Sequence, residues 1–446
     1  MPAPTKNKDF HVAIVGGGIA GLTLAIALYH RGVSTTIYEQ AAAFSEVGAG
    51  VSFSPNAVEA MKLCHDGIYE SFKKVCTRNL WPSKEKVWFD YLDGYTENEA
   101  DYNASSGGEE AKRQNIAFTI TNSIGQTGVH RAHFLDEMVK LVPDEIARFN
   151  KRLEDIEERE SDGKLVLKFA DGARDEADLV IGCDGIKSRV RQILVGEDHP
   201  SANPSFTHKY AYRGLVPMDK AIEAIGEELA SNSCMHMGPN NHMLTFPVNA
   251  GKTLNIVAFH TTPEEWKEYP RLTRDGTREE ALRDFEGYGP NVTKLLKLCE
   301  PKLNIWAIFD LLHPVPTFHK SRVAISGDAA HATSPHHGAG AGFCIEDTAV
   351  LATLLSDPRV KTHADLETVL AVFDSCRRER TQWLVKSSRF IGDCYEWRAE
   401  GVERDFKKIE EAINHRNGII GNADVGAMCE EAREALSGRL EGRASL

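Results

Sequence analysis

Between His11 and Glu39 the residues follow an order that few architectures accommodate. A β-rich run His11–Val15 leads through Gly16-Gly17-Gly18-Ile19-Ala20-Gly21 into a helix-forming segment to about Arg31, a second β-rich run Ser34–Tyr38 and an acid at Glu39. A strand that turns through Gly-x-Gly-x-x-Gly into a helix and then returns as a strand is a βαβ unit, the seed of a parallel sheet. The acid stands 18 residues past Gly21, near the roughly 20-residue spacing of an adenine-dinucleotide site. In such a site Gly16 makes the tight turn, Gly18 lets backbone reach a pyrophosphate, Gly21 permits close helix–strand packing and Glu39 accepts from ribose hydroxyls. The bland alternative is a βαβ turn with no ligand.

A second glycine-rich junction lies at Ser326–Asp347, after the short apolar run Val323–Ile325. Its Gly338-Ala339-Gly340-Ala341-Gly342 segment opens a new helix, and a helix start aims free N–H groups and partial positive charge at an anionic or electron-rich guest. Asp328 precedes that segment, and His336 and His337 stand at its mouth. A third candidate loop, residues 44–56 with Gly48, Ala49 and Gly50, reads equally as a mobile connection or as backbone laid on a flat ring, ahead of a helix from about Ala57. Arg131 opens a helix whose apolar positions Phe134, Leu135, Met138 and Val139 share a face, and it either holds a phosphate or is solvated. Leu165–Phe169 and Ala177–Ile181 flank Asp171-Gly172 as a hairpin-like pair, the second running into Cys183-Asp184-Gly185.

At 446 residues the chain exceeds one ordinary core. Its net charge of −13 disfavours nucleic-acid or anionic-membrane partners, which need a basic face. A polar start without an apolar signal core makes a cytoplasmic enzyme the default, and the final Ala-Ser-Leu is only a distant match to a peroxisomal signal. The nine cysteines include no Cys-x-x-Cys pair, so they read as reduced, mostly buried thiols with no metal role. Residues 99–116 read as an exposed polar insertion. From Pro200 to Phe309 the texture is β-rich, with Leu244, Phe246, Val248 and Ile256, Ala258, His260 suiting a sheet with one covered face, and Thr277 opens a capping box. Trp306–Asp310 and Val323–Ile325 read as a return to the first domain. The expected organisation is α/β: a Rossmann-like nucleotide domain (1–78, 121–200, 306–380), an inserted β-sheet substrate domain (79–120, 201–305) and C-terminal helices (381–446).

In this order the three motifs, Gly-x-Gly-x-x-Gly with Glu39, Cys183-Asp184-Gly185, and Gly327-Asp328, resemble the group A flavin-dependent aromatic hydroxylases over residues 10–400. The resemblance implies FAD held by Gly16, Gly18, Gly21, Glu39, Arg131, Asp184 and Asp328, with NADH or NADPH as a transient co-substrate. Glu46–Phe53, Ala211–Gly214, Leu244–Val248 and Pro335–Gly340 are similar to salicylate hydroxylases and to fungal relatives that dearomatise phenolic aldehydes. Phe246 favours the salicylate branch, because some dearomatising relatives carry a Tyr there and Phe cannot donate a hydrogen bond.

The implied reaction uses NAD(P)H and O2 through a flavin C4a-hydroperoxide. Its expected form is oxidative decarboxylation of a salicylate to a catechol, with dearomatising hydroxylation of a resorcylic aldehyde as the alternative. A non-oxygenating FAD oxidoreductase and a non-catalytic flavin-binding protein are the competing classes. A phenol of pKa ~10 costs about 4 kcal/mol to ionise at pH 7, so a base and a cation are needed. His336 is the candidate base, against a role as helix cap, and Arg213 the candidate anion clamp, against pairing with an internal acid. Tyr212 and Phe246 are pocket walls or core, and His337 stands beside the pocket. The partners expected are small phenols and O2, on a monomer or homodimer.

Overall fold

The computed structural model describes residues 8–44, 50–95 and 116–444. Gly48, Ala49 and nearly all of the 99–116 insertion lie outside these residues. A six-stranded sheet runs in the order His319–Lys320, Val323–Ile325, Leu179–Gly182, His11–Val15, Ser34–Tyr38, Ala147–Arg148, parallel except at its first pair. Val12–Val15 and Leu179–Ile181 are buried and apolar on both faces, as strands covered by helices on either side must be. The helix Ile19–His30 is buried from Ile19 to Leu28 apart from Ala20, and it packs on the helix Gly340–Ser356.

Leu165–Phe169 does form a hairpin, but with Arg174–Ala177; Leu179–Gly182 is a separate strand beside His11–Val15. The polar Arg174–Glu176 hides its strand character because that edge faces solvent.

The second sheet has eight strands, in the order Thr273–Thr277, Lys302–Asp310, Ser205–Pro217, Thr253–Thr261, Asn241–Val248, Cys234–Gly238, Val87–Asp93, Ile116–Thr121. Trp306–Asp310 belongs here rather than to the nucleotide sheet, since Trp306 pairs with Ala211. Its apolar run suits either sheet, and only the ladder begun at Lys302 decides. Thr245 pairs with Ile256 and Phe246 with Asn255. Consequently Leu244, Phe246 and Val248 face away from Ile256 and Ala258, and both faces of the sheet are covered. One face packs Tyr212, Met243 and Ile256 in a core shared with the helices Met218–Ile225, Arg278–Asp284 and Pro290–Leu298. Thr277 and Glu280 complete the expected capping box. The other face looks toward the nucleotide-binding half.

The 33-residue helix His363–Tyr395, about 50 Å long at 1.5 Å per residue, joins the two halves. Leu366–Phe373 contribute to the nucleotide-domain core, and Ile391, Cys394 and Tyr395 pack on the substrate sheet. Arg377, fully buried, holds Asp347 at 2.8 Å and Glu346 at 2.7 Å on the helix Gly340–Ser356. Two further helices, Phe406–Gly421 and Val425–Ala444, lie against these cores. No helix among the described residues is long and apolar enough to cross a membrane.

Candidate functional site

Two adjoining cavities cross the junction of the sheets. The inner one, about 590 Å³, lies between the glycine-rich helix start at Gly338–Ala341 and the side of the eight-stranded sheet that carries Leu244 and Phe246. The outer one, about 780 Å³, lies between Gly16–Gly18, Glu39 and Asp184. Gly18, Cys183 and Gly185 border both, so a single groove runs from one sheet to the other.

Backbone packing forces the glycines of the first turn. Gly16 has φ +103°, and a Cβ there would lie 2.4 Å from the Cys183 carbonyl oxygen; at Gly21 a Cβ would lie 2.0 Å from the Gly16 carbonyl oxygen. Gly18 caps the helix Ile19–His30 from extended backbone. Glu39 accepts from the Gly17 and Ala41 N–H groups, each at 2.7 Å, and so fixes the turn while rimming the outer cavity. Asp184 accepts from the Ser188 hydroxyl at 2.6 Å and from the Arg189 and Val190 N–H groups at 2.7 and 3.1 Å. It therefore anchors the helix Arg189–Val195 at the cavity edge, and burial pushes its carboxyl above the usual range.

Asp328, Arg131, Gly338, Ala339, Gly340 and Ala341 line the inner cavity, as does Gly50 on the ribbon formed by Gly50–Ser52 and Gly128–His130. Gly342 instead lies within the helix Gly340–Ser356, close against Ala57. The Gly327–Asp328 turn is held from behind by Asp347, which accepts from Gly327 N–H at 3.1 Å and pairs with His331 at 2.6 Å. Against the effect of burial, His331 and Arg377 hold the Asp347 carboxyl well below the usual range. Arg191, fully buried, ties the second motif to the third by donating to the Ile186 carbonyl at 2.6 Å and the Ala329 carbonyl at 2.8 Å. Neither clamp is visible in the sequence, because each spans many residues of chain.

On the substrate side Arg213 stacks over Trp306 at 4.3 Å, with Nε and Nη1 lacking any partner among the described residues. Burial lowers its pKa to about 10, and the nearby Arg131 adds to the effect. No internal acid pairs with it among those residues. Tyr212, the neighbouring residue, does not belong to the cavity: strand alternation turns it to the opposite face, where its hydroxyl donates to Asp284 at 2.5 Å. Phe246 does line the cavity, wedged so that Cβ atoms at Gly50 and Gly128 would approach its ring to 2.7 and 3.0 Å. Its cross-strand partner Asn255 also lines the cavity, and the Nδ2 of that buried side chain is unpartnered. Only the strand register brings Asn255 here, and no motif marks it.

His336 sits in the turn Pro335–His337, buried, with both ring nitrogens unpartnered among the described residues. Its ring meets Phe259 and His242 edge-on, at 5.0 and 5.1 Å between centroids. Gly392 makes room for it, since a Cβ there would lie 2.4 Å from Cδ2. It caps no helix. Burial first, then the neighbouring His242, Lys209, His337 and Arg389, push its pKa well below the usual histidine value. His337 bonds Ser387 Oγ at 2.9 Å, and burial lowers its pKa to about 3.

Contiguous cavities, an acid-rimmed glycine turn and donors aimed into apolar space fit a dinucleotide whose flat ring reaches the second sheet. The family model described as "FAD binding domain" matches residues 9–388. The chain belongs to the FAD-dependent aromatic hydroxylases. The hydroxylase is 44% identical over 450 residues to the FAD-dependent monooxygenase pigN of Monascus ruber, covering 99% of this chain and all of that one. It is 42% identical to the dual trans-enoyl reductase/FAD-dependent monooxygenase tazHJ of Aspergillus terreus, covering 98% of this chain and 62% of the longer protein. Among solved structures, a salicylate hydroxylase in its substrate complex superposes with a TM-score of 0.83 at 34% identity, covering 96% of this chain and 98% of that one. The hydroxylase is thus an FAD-dependent monooxygenase with the α/β architecture of that enzyme.

Proposed function

We propose that this hydroxylase acts on a phenol bearing a ring carbonyl, a resorcylic aldehyde of the fungal polyketide type, and dearomatises it by inserting one oxygen atom. The overall balance is substrate, O2, NAD(P)H and a proton giving hydroxylated product, water and NAD(P)+. The observation that carries this reading is the pair of unpartnered groups on one cavity wall, the Arg213 guanidinium and the Asn255 amide. Both donate, and a phenolate with a neighbouring carbonyl offers acceptors to both. The absence of a hydroxyl at Phe246 argued for salicylate; Asn255, directly opposite, supplies the donor that Phe lacks. Likeness to pigN and tazHJ above that to the salicylate hydroxylase supports the same branch. So does the enoyl reductase fused to tazHJ, an activity suited to acyl-chain assembly.

Bound FAD would be held by Gly16–Gly18 and Glu39 at its adenosine end, and by Asp328, Arg131 and the Gly338–Ala341 backbone at its ring. It supplies the electrophilic oxygen after reduction by NADH or NADPH and reaction with O2. His336, buried and held neutral, takes the phenol proton. Arg213 holds the phenolate, a charge-assisted contact contributing about 1.5–3 kcal/mol toward the ionisation cost. Trp306, Phe259 and Leu244 exclude water around the ring.

Decarboxylation of salicylate is the second reading, favoured by Phe246 and by the salicylate hydroxylase superposition. Substrate-stimulated NAD(P)H oxidation separates them. The proposal expects 2,4-dihydroxy-6-methylbenzaldehyde to exceed salicylate in kcat/KM by at least about tenfold; the reverse ranking refutes it.

A further inference from the structure

We propose that His242 and Glu396 form a proton-carrying pair behind His336, moving the proton of the bound phenol from the cavity toward the exposed carboxylate of Asp393. The inference rests on the reading of His336 as the base. His242 lies on the cavity-facing side of the strand Asn241–Val248, with Leu244 and Phe246, and is fully buried. Its Nδ1 bonds Glu396 Oε1 at 3.0 Å, while Nε2 is buried without a partner among the described residues. Glu396, just past the helix His363–Tyr395, has no exposed surface; it also accepts from Thr261 Oγ1 at 2.5 Å and from Lys209 Nζ. Lys209 in turn donates to Asp393 at 2.8 Å, and the Asp393 side chain is 41% exposed. Polar groups thus run without interruption from solvent to His242, and the His336 ring is next, 5.1 Å away at 64°. One water or a modest ring rotation closes that gap.

The surroundings of His336 explain why such a pair is needed. Lys209, Arg389, His242 and His337 bear on it electrostatically, with the Tyr395 hydroxyl donating to its backbone carbonyl. Arg389 is matched by Asp310 at 2.6 and 2.7 Å, so that acid is committed. Among the described residues, protonated His336 therefore has no carboxylate of its own, and Glu396 reaches it through His242. With Nδ1–H donated to Glu396, His242 Nε2 carries the lone pair that accepts. Burial lowers the pKa of His242, and Glu396 opposes that fall.

In the step, the phenol O–H bond breaks and a proton joins one nitrogen of His336. The proton on the other nitrogen passes to His242 Nε2, and the Nδ1 proton passes to Glu396. The negative charge leaves Glu396 for the phenolate oxygen at Arg213; Lys209 Nζ then gives a proton to Asp393, which passes it to water, and takes the Glu396 proton in its place. No oxidant or reductant takes part.

The test titrates 2,4-dihydroxybenzaldehyde bound to the oxidised, FAD-loaded enzyme, reading phenolate absorbance from about pH 5 to about pH 10. Variants are His336→Ala, His242→Gln, and Glu396→Gln combined with Lys209→Met, which removes the buried charges together. FAD absorbance per protein reports intact folding, and if the double variant loses FAD, His242→Gln decides alone. The expected result is an apparent pKa of the bound phenol raised by about one unit or more in each variant. An unchanged titration in the FAD-loaded relay variants, with His336→Ala shifted, overturns the relay and leaves His336 as base. An unchanged titration in His336→Ala overturns the base and the relay with it.

Discussion

Arg213 points unpartnered N–H groups into a cavity walled by aromatic rings, so its loss removes binding energy without leaving a buried acid behind. Arg213→Gln is expected to lower kcat/KM for the phenol roughly 10- to 150-fold, the range given by about 1.5–3 kcal/mol, with FAD content unchanged; steady-state kinetics beside a flavin spectrum checks this. As the proposed base, His336 would set the pH dependence. Its folded pKa lies well below 6.5, so the neutral base persists on acidification, and kcat/KM should hold its plateau to below that value. The same depression means that the stability it contributes is present above 6.5 and is lost as pH falls through the folded pKa. A kcat/KM profile with an acid limb centred at or above 6.5 would remove His336 as the base. That Arg213 and His336 line the cavity was legible because each sits in a local motif. Asn255, His242 and Glu396 were not, since strand register and a distant helix end bring them to the cavity.

The first glycine turn is the element whose geometry is least negotiable. Gly16→Ala introduces a Cβ 2.4 Å from the Cys183 carbonyl at a φ of +103°, so the variant should purify without FAD or fail to fold, as flavin absorbance and circular dichroism will report. Asp184 acts at the same scale by holding the helix Arg189–Val195 with both carboxylate oxygens. Asp184→Ala should cost about 0.5–2 kcal/mol of stability through the lost cap, measured as a lower Tm, together with weaker FAD retention. The βαβ unit was readable nearly to the residue because its strands, glycines and acid lie in one short stretch. The Leu165–Phe169 hairpin was mispaired because an exposed polar strand carries no apolar period.

Across the whole molecule, one helix joins the two halves, and one buried ion cluster fixes that helix to the glycine-rich helix of the nucleotide-binding half. Arg377 joins the helix His363–Tyr395 to Asp347 and Glu346, and Asp347 sets the Gly327–Asp328 turn. Arg377→Met removes the buried cation shared by Asp347 and Glu346, leaving them only His331 and Arg380, and should cost about 3–5 kcal/mol, seen as a large fall in Tm that excess FAD only partly reverses. The two-sheet plan was legible from the change in texture near residue 200. The return point was not, because Trp306–Asp310 suits either sheet and only its pairing with Ser205–Pro217 assigns it. Placing the glycine-rich helix start against the cavity-facing side of the second sheet is what creates the cavity in which the proposed function puts an ionised phenol beside a flavin. Turnover of 2,4-dihydroxy-6-methylbenzaldehyde under oxygen-18 gas, followed by mass analysis, tests that claim most directly. Dearomatising hydroxylation gives one labelled oxygen per product, the aldehyde carbon retained and no CO2. Unlabelled aldehyde with hydrogen peroxide as the only oxygen product, alongside catechol and CO2 from salicylate, would contradict it.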